Sequence, residues 1–513
     1  MNSQPQLYQV TPELMPSLTP AERRDFNDLL QVWQTKLSRN FLRKRYYDGK
    51  NHLKDLGISI PPALTDVETV VGWPAKAVDA LAVRSIFDGF TIGGRDDSDL
   101  TPLLTANDFK LLYSEAVTSE LINSCSFCTV SSGDGEDEPE VLINFYGATS
   151  AAALWDVRRK RIRCGFTIAD YIDEPSGECV PTEVNYYTDG FVIKCRRDES
   201  TGSWATERVP TPVGRPLMEP LRYRPSLERP FGKSRISRAV MSITDSAVRT
   251  CLRAEVSAEL YTSPQRYLLG ADEDTFGGYE SDVDARARKV EAYLGTIFAI
   301  TPNENGDIPQ YGQLSAMSMQ PHTDYLRSLA ARFAGETSIP ISSLGVVSDN
   351  PSSAEAMYAA SEDLIIEAEA LNDVNGRSLE NVARMVMALR EGRRVQELTE
   401  EQLDVRANFK NPMRPSLASQ TDAVIKQAEV MPWMLEGDEA LSITLSELGY
   451  SESQVNQLVS SKKRAEGREN ASAVLQSVLA NGTAQPTEPA EEPAEKPAEE
   501  PEEAEEAEEE PEA

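Results

Sequence analysis

Apolar residues recur every three or four positions through several stretches of this chain, a spacing that predicts amphipathic helices. The first helix is expected over Ala21 to Asp48, with Phe26, Leu29, Leu30, Trp33, Leu37 and Phe41 on one face. Its other face carries Arg23, Arg24, Arg39, Arg43, Lys44 and Arg45, which reads either as a solvated surface or as a phosphate contact. Further helices are expected over Trp73 to Phe87 and Asn107 to Ser124. From Cys125 to about Pro210 the period drops to two. The runs SFCTV, EVLINFY, RIRCGFTIADYI, TEVNYY, GFVIKCRR and WATERVP, separated by glycine-containing turns, predict an antiparallel β region.

Helical spacing returns at Ser234 to Thr262, where Ile236, Val240, Ile243, Ala247, Cys251, Ala254 and Ala258 form one stripe that ends at Ser263-Pro264. Gln265 to Met319 is mixed, with QRYLLGA and GTIFAI expected as strands and Asp284 to Tyr293 as a helix, so it reads as a small inserted α/β module. A helix over Thr323 to Gly335 leads into the loop IPISSLGVVSDNPSSAEA, bracketed by Pro340 and Pro351. Proline fixes φ and disfavours helix in the residue before it, so neither neighbouring helix can grow through this loop. Ser352 and Glu355 then have the spacing of a capping box. The helix that follows, to about Glu391, spans roughly 60 Å at 1.5 Å per residue, with a kink expected at Gly376. A short strand between Leu403 and Phe409 and several helices over Ser416 to Leu479 complete the pattern.

Composition alters this picture in two places. The formal net charge of the 513 residues is −32, but the Pro/Ala/Glu run from Gly482 to Ala513 holds fourteen Glu and one Lys. That run carries −13, leaving −19 for the rest, and lacks the apolar surface needed to offset its ordering entropy, so it is expected to be disordered. An acidic body does not clamp nucleic acid by counterion release. Against this background Arg208 to Arg253 stands out, with ten Lys or Arg facing only Glu219, Glu228 and Asp245. Six scattered cysteines and an N-terminus without an apolar core suggest a reducing compartment, and no apolar run approaches the ~20 residues of a membrane span.

Catalytic and metal-binding patterns are absent from the sequence. The histidines, His52 and His322, lie in no ligand spacing, and Cys125-x-x-Cys128 has no second pair to complete a zinc site. Gly232-Lys233-Ser234 resembles part of a phosphate-binding loop, but the position that needs the first glycine is Leu227. No catalytic, cofactor or metal residues are expected, and a non-enzymatic role is.

The segments RYYDGKNHLKDLGISIPP, GWPAKAVDALAVRSIFDGF, RPFGKSRISRAVMSITDSAVRTCLRAEVSAELYTSPQRYLLG and SIPISSLGVVSDNPSSAEAMYAASEDLIIEAEALN closely resemble portal proteins of tailed bacteriophages, in particular long-tailed phages of actinobacteria. The resemblance implies an α+β portal fold. Its parts would be a wing over 1–229, stem helices over 230–262 and 320–337 flanking a clip over 263–319, a tunnel loop over 338–353, a long kinked helix with a strand returning to the wing over 354–412, and a helical crown over 413–481. The tail over 482–513 departs from the family pattern.

The implied function is a homododecameric ring at one capsid vertex, through which DNA enters during packaging and leaves toward the tail. The implied partners are further copies of the chain, the major capsid protein, the terminase large subunit, a head-completion adaptor, a scaffolding protein, and double-stranded DNA read without sequence preference. The implied location is the virion, with assembly in the host cytoplasm. The resemblance places Ser342, Ser343, Leu344, Val346, Val347, Ser348, Asp349 and Asn350 in the tunnel loop. Lys233, Arg235, Arg238, Arg249 and Arg253 form a basic belt on the first stem helix, some of which are expected to face neighbouring subunits' carboxylates or the DNA. Two rival readings are another virion structural or scaffolding protein, and a metal-dependent nuclease using clustered carboxylates.

Overall fold

The computed structural model describes residues 18–51, 69–96, 100–133, 138–173, 179–198, 203–261, 266–269, 310–313, 318–345 and 354–413, together with separate positions between 422 and 465. The chain divides into two units, Met1–Met413 and Arg414–Ala513.

The first unit opens with α1 (Pro20–Tyr47). Pro20 sits where a helix needs no N–H, and Thr19 and Glu22 form a reciprocal capping box. Its buried face, Phe26, Leu29, Leu30, Trp33 and Leu37, covers one side of a five-stranded antiparallel sheet made of β5 (Ala151–Asp156), β6 (Arg161–Asp173), β7 (Cys179–Tyr187), β8 (Phe191–Arg197) and β9 (Trp204–Pro210). Phe166 is the centre of this contact, meeting Phe26 and Trp33 edge-to-face at 6.0 and 5.7 Å. The Trp33 indole N–H donates to the Thr149 carbonyl at 2.9 Å, so its one polar group is satisfied.

A larger core joins α2 (Trp73–Ala82), α3 (Leu100–Ala106), α4 (Phe109–Asn123) and the long α7 (Ala354–Arg390) to two three-stranded sheets. One sheet orders β10 (Met218–Arg222), β3 (Cys125–Ser132) and β4 (Val141–Gly147). The other orders β13 (Val405–Phe409), β1 (Phe87–Ile92) and β2 (Arg95–Asp96). α5 (Arg238–Tyr261) and α6 (Gln320–Thr337) pack together, with the short ribbon β11 (Arg266–Leu269) and β12 (Gln310–Gln313) between them in sequence. The pair is antiparallel, because Ser237 at the start of α5 donates to Glu336 at 2.9 Å while Ser257 near its end lies 3.4 Å from His322.

Several expected elements differ from those observed. The helix expected to reach Phe87 stops at Ala82, and Phe87 begins β1. Phe87 and Phe90 have helical spacing, but a bulge between Phe87 and Gly89 puts both on the core side of a strand paired with β13. β10 contains Pro220, which lacks a donor and fits only at an edge, where β10 lies. Its free groups are met from α7: Ser378 donates to the Pro220 carbonyl at 2.7 Å, and the Asn375 side-chain oxygen accepts from the Arg222 N–H at 3.3 Å. α7 passes Gly376 without interruption, and a side chain there would reach within 3.3 Å of the Phe409 ring. A helix is expected from Ser234, but α5 starts at Arg238. Cys125 and Cys128 are both buried and unpaired on β3.

In the second unit α9 (Asp438–Glu447) is helical, as are described positions from 457 to 465. α8 (Glu400–Leu403) belongs to the first unit and precedes β13. The inserted helix expected over Asp284 to Tyr293, the strand GTIFAI and the acidic tail lie outside the described residues.

Candidate functional site: the loop after α6 and its basic anchor

The loop is built on a sharp turn. α6 ends at Thr337, Ser338 adopts a left-handed φ of +54°, and Ile339 is buried at 3 % exposure. Pro340 then starts a single 3₁₀ turn, Ile341–Leu344, closed by Ser343 N–H to Pro340 O at 2.9 Å and by Gly345 at φ +82°. Ser342 and Ser343 are exposed and Ile341 is 39 % exposed. Leu344 instead turns toward the main core and is half-buried against it. Val346, Val347, Ser348, Asp349 and Asn350 lie outside the described residues.

What holds this turn is Arg235. The chain between β10 and α5, residues 223–237, is non-helical and is shaped by Gly232 at φ +74°, where an added Cβ would sit 2.2 Å from the Tyr223 carbonyl. Ser234 is buried and donates to the Ile122 carbonyl at 2.5 Å, which excludes the phosphate-loop reading of Gly232-Lys233-Ser234 on structural grounds as well. Arg235 is 5 % exposed. Its Nε donates to Ala77 O in α2 at 2.6 Å, one terminal nitrogen to Thr337 O at the end of α6 at 2.6 Å, and the other to the Tyr223 hydroxyl at 2.9 Å. That last nitrogen also lies 2.6 Å from the Glu367 carboxylate on α7, which Arg224 approaches at 2.9 Å and Tyr223 reaches by hydrogen bond. One planar guanidinium thus joins α2, α6, α7 and the strand end after β10, a geometry that lysine cannot reproduce.

Within the basic belt, Arg235 is therefore committed inside its own chain. Lys233, Arg238 and Arg253 are exposed, and Arg249 is half-buried with its guanidinium donating to Ser246 at 3.3 Å. Of the belt, only these four remain open to an outside partner.

Sequence reasoning missed Glu367 and Glu120. Each is a lone carboxylate on an otherwise apolar helix face, Glu367 between Leu364, Ala368 and Leu371, and that isolation was the available signal. Glu120 on α4 is fully buried and accepts from Asn375 at 2.9 Å. Burial pushes its carboxyl up to about 8, against the Asn375 hydrogen bond and the Arg222 charge, which both lower it. Among the described residues no group of three His, Cys, Asp or Glu could hold a metal ion, and no helix is long and apolar enough to cross a membrane.

The site thus sits on a mixed α and antiparallel β body with an antiparallel helix pair, a pinned loop and a long helix crossing the sheets. The chain belongs to the phage portal family described as SPP1 Gp6-like, whose model matches residues 27–433. Its relatives include the portal protein of Mycobacterium phage L5, 28 % identical over 389 residues, covering 74 % of this chain and 77 % of the phage protein. The portal protein of Mycobacterium phage D29 is 27 % identical over 388 residues with the same coverage of each. Among solved structures, the neck of a native gene transfer agent particle with C12 symmetry aligns at 12 % identity and a TM-score of 0.40, covering 75 % of this chain and 89 % of that one.

Proposed function

We propose that the chain is the subunit of a closed dodecameric ring at a single capsid vertex, the conduit through which the terminase large subunit drives DNA inward and through which DNA later exits to the tail. In this reading 1–229 with the long helix forms the wing, α5 and α6 the stem, 263–319 the clip facing terminase and later a head-completion adaptor, 338–353 the tunnel loop, and 413–481 the crown. The major capsid protein surrounds the ring, and the role is structural rather than catalytic. The observation that carries the proposal is the loop at 339–345, exposed at Ser342 and Ser343 and anchored at its base by Arg235, in a chain of this family.

Physical dimensions agree. Twelve helices side by side at about 10 Å spacing make a circumference of about 120 Å and, after one helix width is removed, a bore of about 28 Å. A duplex passes through that with little clearance. The net charge of −19 outside the acidic tail favours sliding over adhesion, since phosphates are repelled by acidic walls. The test is insertion of several bulky residues at Ser343. Rings should assemble normally while DNA packaging stops; undiminished phage yield would refute the placement of this loop in the bore.

A further inference from the structure

The basic cluster on α1 has a structural use that the channel reading does not supply. A cavity of about 530 Å³ opens between α1 and the turn that leads into α5. Lys36, Arg39 and Arg43 line one wall, at steps of three and four along α1, and Arg229, Lys233 and Arg238 line the other. Six cations thus face one space in which, among the described residues, the sole lining carboxylate is the exposed Glu228, and none of the six forms an ion pair there. Arg43 donates from one terminal nitrogen to the Asn123 carbonyl at 3.2 Å, but its buried Nε has no partner, and neither has the Asn123 side-chain oxygen beside it. Burial, with the charge of Arg39 adding to it, pushes Arg43 down to about 10, as expected of a guanidinium that lacks its counter-charge.

The complementary surface lies on α7 of the same chain. Its buried face runs through Leu364, Ala368, Leu371 and Asn375, and directly opposite, at steps of four, three and four, stand Glu362, Ile366, Glu369 and Asp373. The three carboxylates are exposed and form no ion pair among the described residues, and Ile366 between them is 55 % exposed. The basic surface has its own apolar tip, Leu227, fully exposed next to the cavity residues Glu228 and Arg229. No described residue of α7 lines the cavity. Three cations in eight residues of α1 occupy roughly 10 Å of helix, and the carboxylates of α7 span roughly 16 Å, so the two rows are of similar length.

We propose that the cavity between α1 and the turn 228–238 is the docking site for the acidic outer face of α7 from a second copy of this chain, Glu369 and Asp373 meeting Lys36, Arg39 and Arg43. The two surfaces differ and sit on separate elements, so the contact is heterologous. A heterologous contact repeated by identical copies closes into a ring when its rotation permits. The proposal rests on the ring reading and supplies it with a specific seam. It also explains how a chain of net charge −32 associates with itself, since the contact pairs its concentrated cations with its exposed anions.

The test is charge exchange on the full chain, followed by native mass and light scattering. Lys36→Glu/Arg39→Glu alone and Glu369→Lys/Asp373→Lys alone should each reduce ring-sized species at least tenfold at a concentration where the wild type is assembled. The four changes combined should restore assembly to within about threefold. All four positions are exposed, and circular dichroism with thermal melting verifies that each variant folds. The proposal is overturned if either pair assembles as the wild type does, or if folded variants disassemble without recovery in the combination. It is equally overturned if Lys36→Glu/Arg39→Glu forms normal rings but loses binding to duplex DNA, which would make nucleic-acid phosphate the occupant. A wild type that never assembles would instead refute the ring reading itself.

Discussion

Arg235→Ala removes the one side chain that joins the loop base to three other parts of the body. The guanidinium is 5 % exposed, and its loss leaves the carbonyls of Ala77 and Thr337 without that donor and Glu367 with Arg224 as its remaining cation. Breaking a buried pair by removing one partner costs about 3 to 5 kcal/mol. The Arg224 side chain is 60 % exposed and can still approach the carboxylate, which puts the expected cost near the lower end, about 3 kcal/mol. At about 2 °C per kcal/mol for a large domain, melting should fall by roughly 6 °C at fixed protein concentration. Hydrogen exchange should accelerate selectively at 337–345, because Thr337 loses its tether. Replacing both charges, Arg235→Met with Glu367→Leu, should recover part of the loss, since no uncompensated charge is then left buried. A melting temperature within 1 °C of the wild type for Arg235→Ala, with unchanged exchange at the loop, would refute the anchoring role.

Two further substitutions probe the same body. Glu120 ionises near 4.5 when unfolded but is pushed up to about 8 in the fold, so between those pH values the native state binds the extra proton and stability falls as pH rises, by up to about 1.4 kcal/mol per pH unit. Glu120→Gln should therefore gain on the wild type from pH 4.5 to 8 and hold a constant advantage above that; parallel stability curves for the two proteins would contradict the buried placement. Gly232→Ala introduces a Cβ 2.2 Å from the Tyr223 carbonyl at a φ of +74° and should cost about 2 kcal/mol or more, measured by urea midpoint, whereas a neutral outcome would mean the turn into Arg235 is not as tight as described.

Helices that carry a full apolar stripe were legible from residue type alone. α1 follows from Phe26, Leu29, Trp33 and Leu37, and the proline-bracketed break between α6 and α7 follows from Pro340. Six of the strands between Cys125 and Pro210 follow from period two, but β5 does not, because its alanine-rich run, Ala151 to Ala153, shows no alternation. β1 and β13 pair across more than three hundred residues, and a bulge gives Phe87 and Phe90 a helix-like spacing, so local pattern pointed the wrong way. The loop residues Ser342 and Ser343 are exposed. The assignment of Arg235 could not be read from charge density, because burial with Glu367 depends on α7 arriving from 130 residues further along the chain. A basic run in sequence thus resolves into two populations, one structural and buried, the other exposed and available to a partner.

The most direct measurement is electron microscopy of the purified full-length chain, viewed down the particle axis, with native mass taken on the same sample. Twelve copies of a 56.6 kDa chain give a particle of about 680 kDa, and the expected image is a closed ring with an open centre. Monomers at every concentration, or a disc with no central opening, would contradict the portal ring.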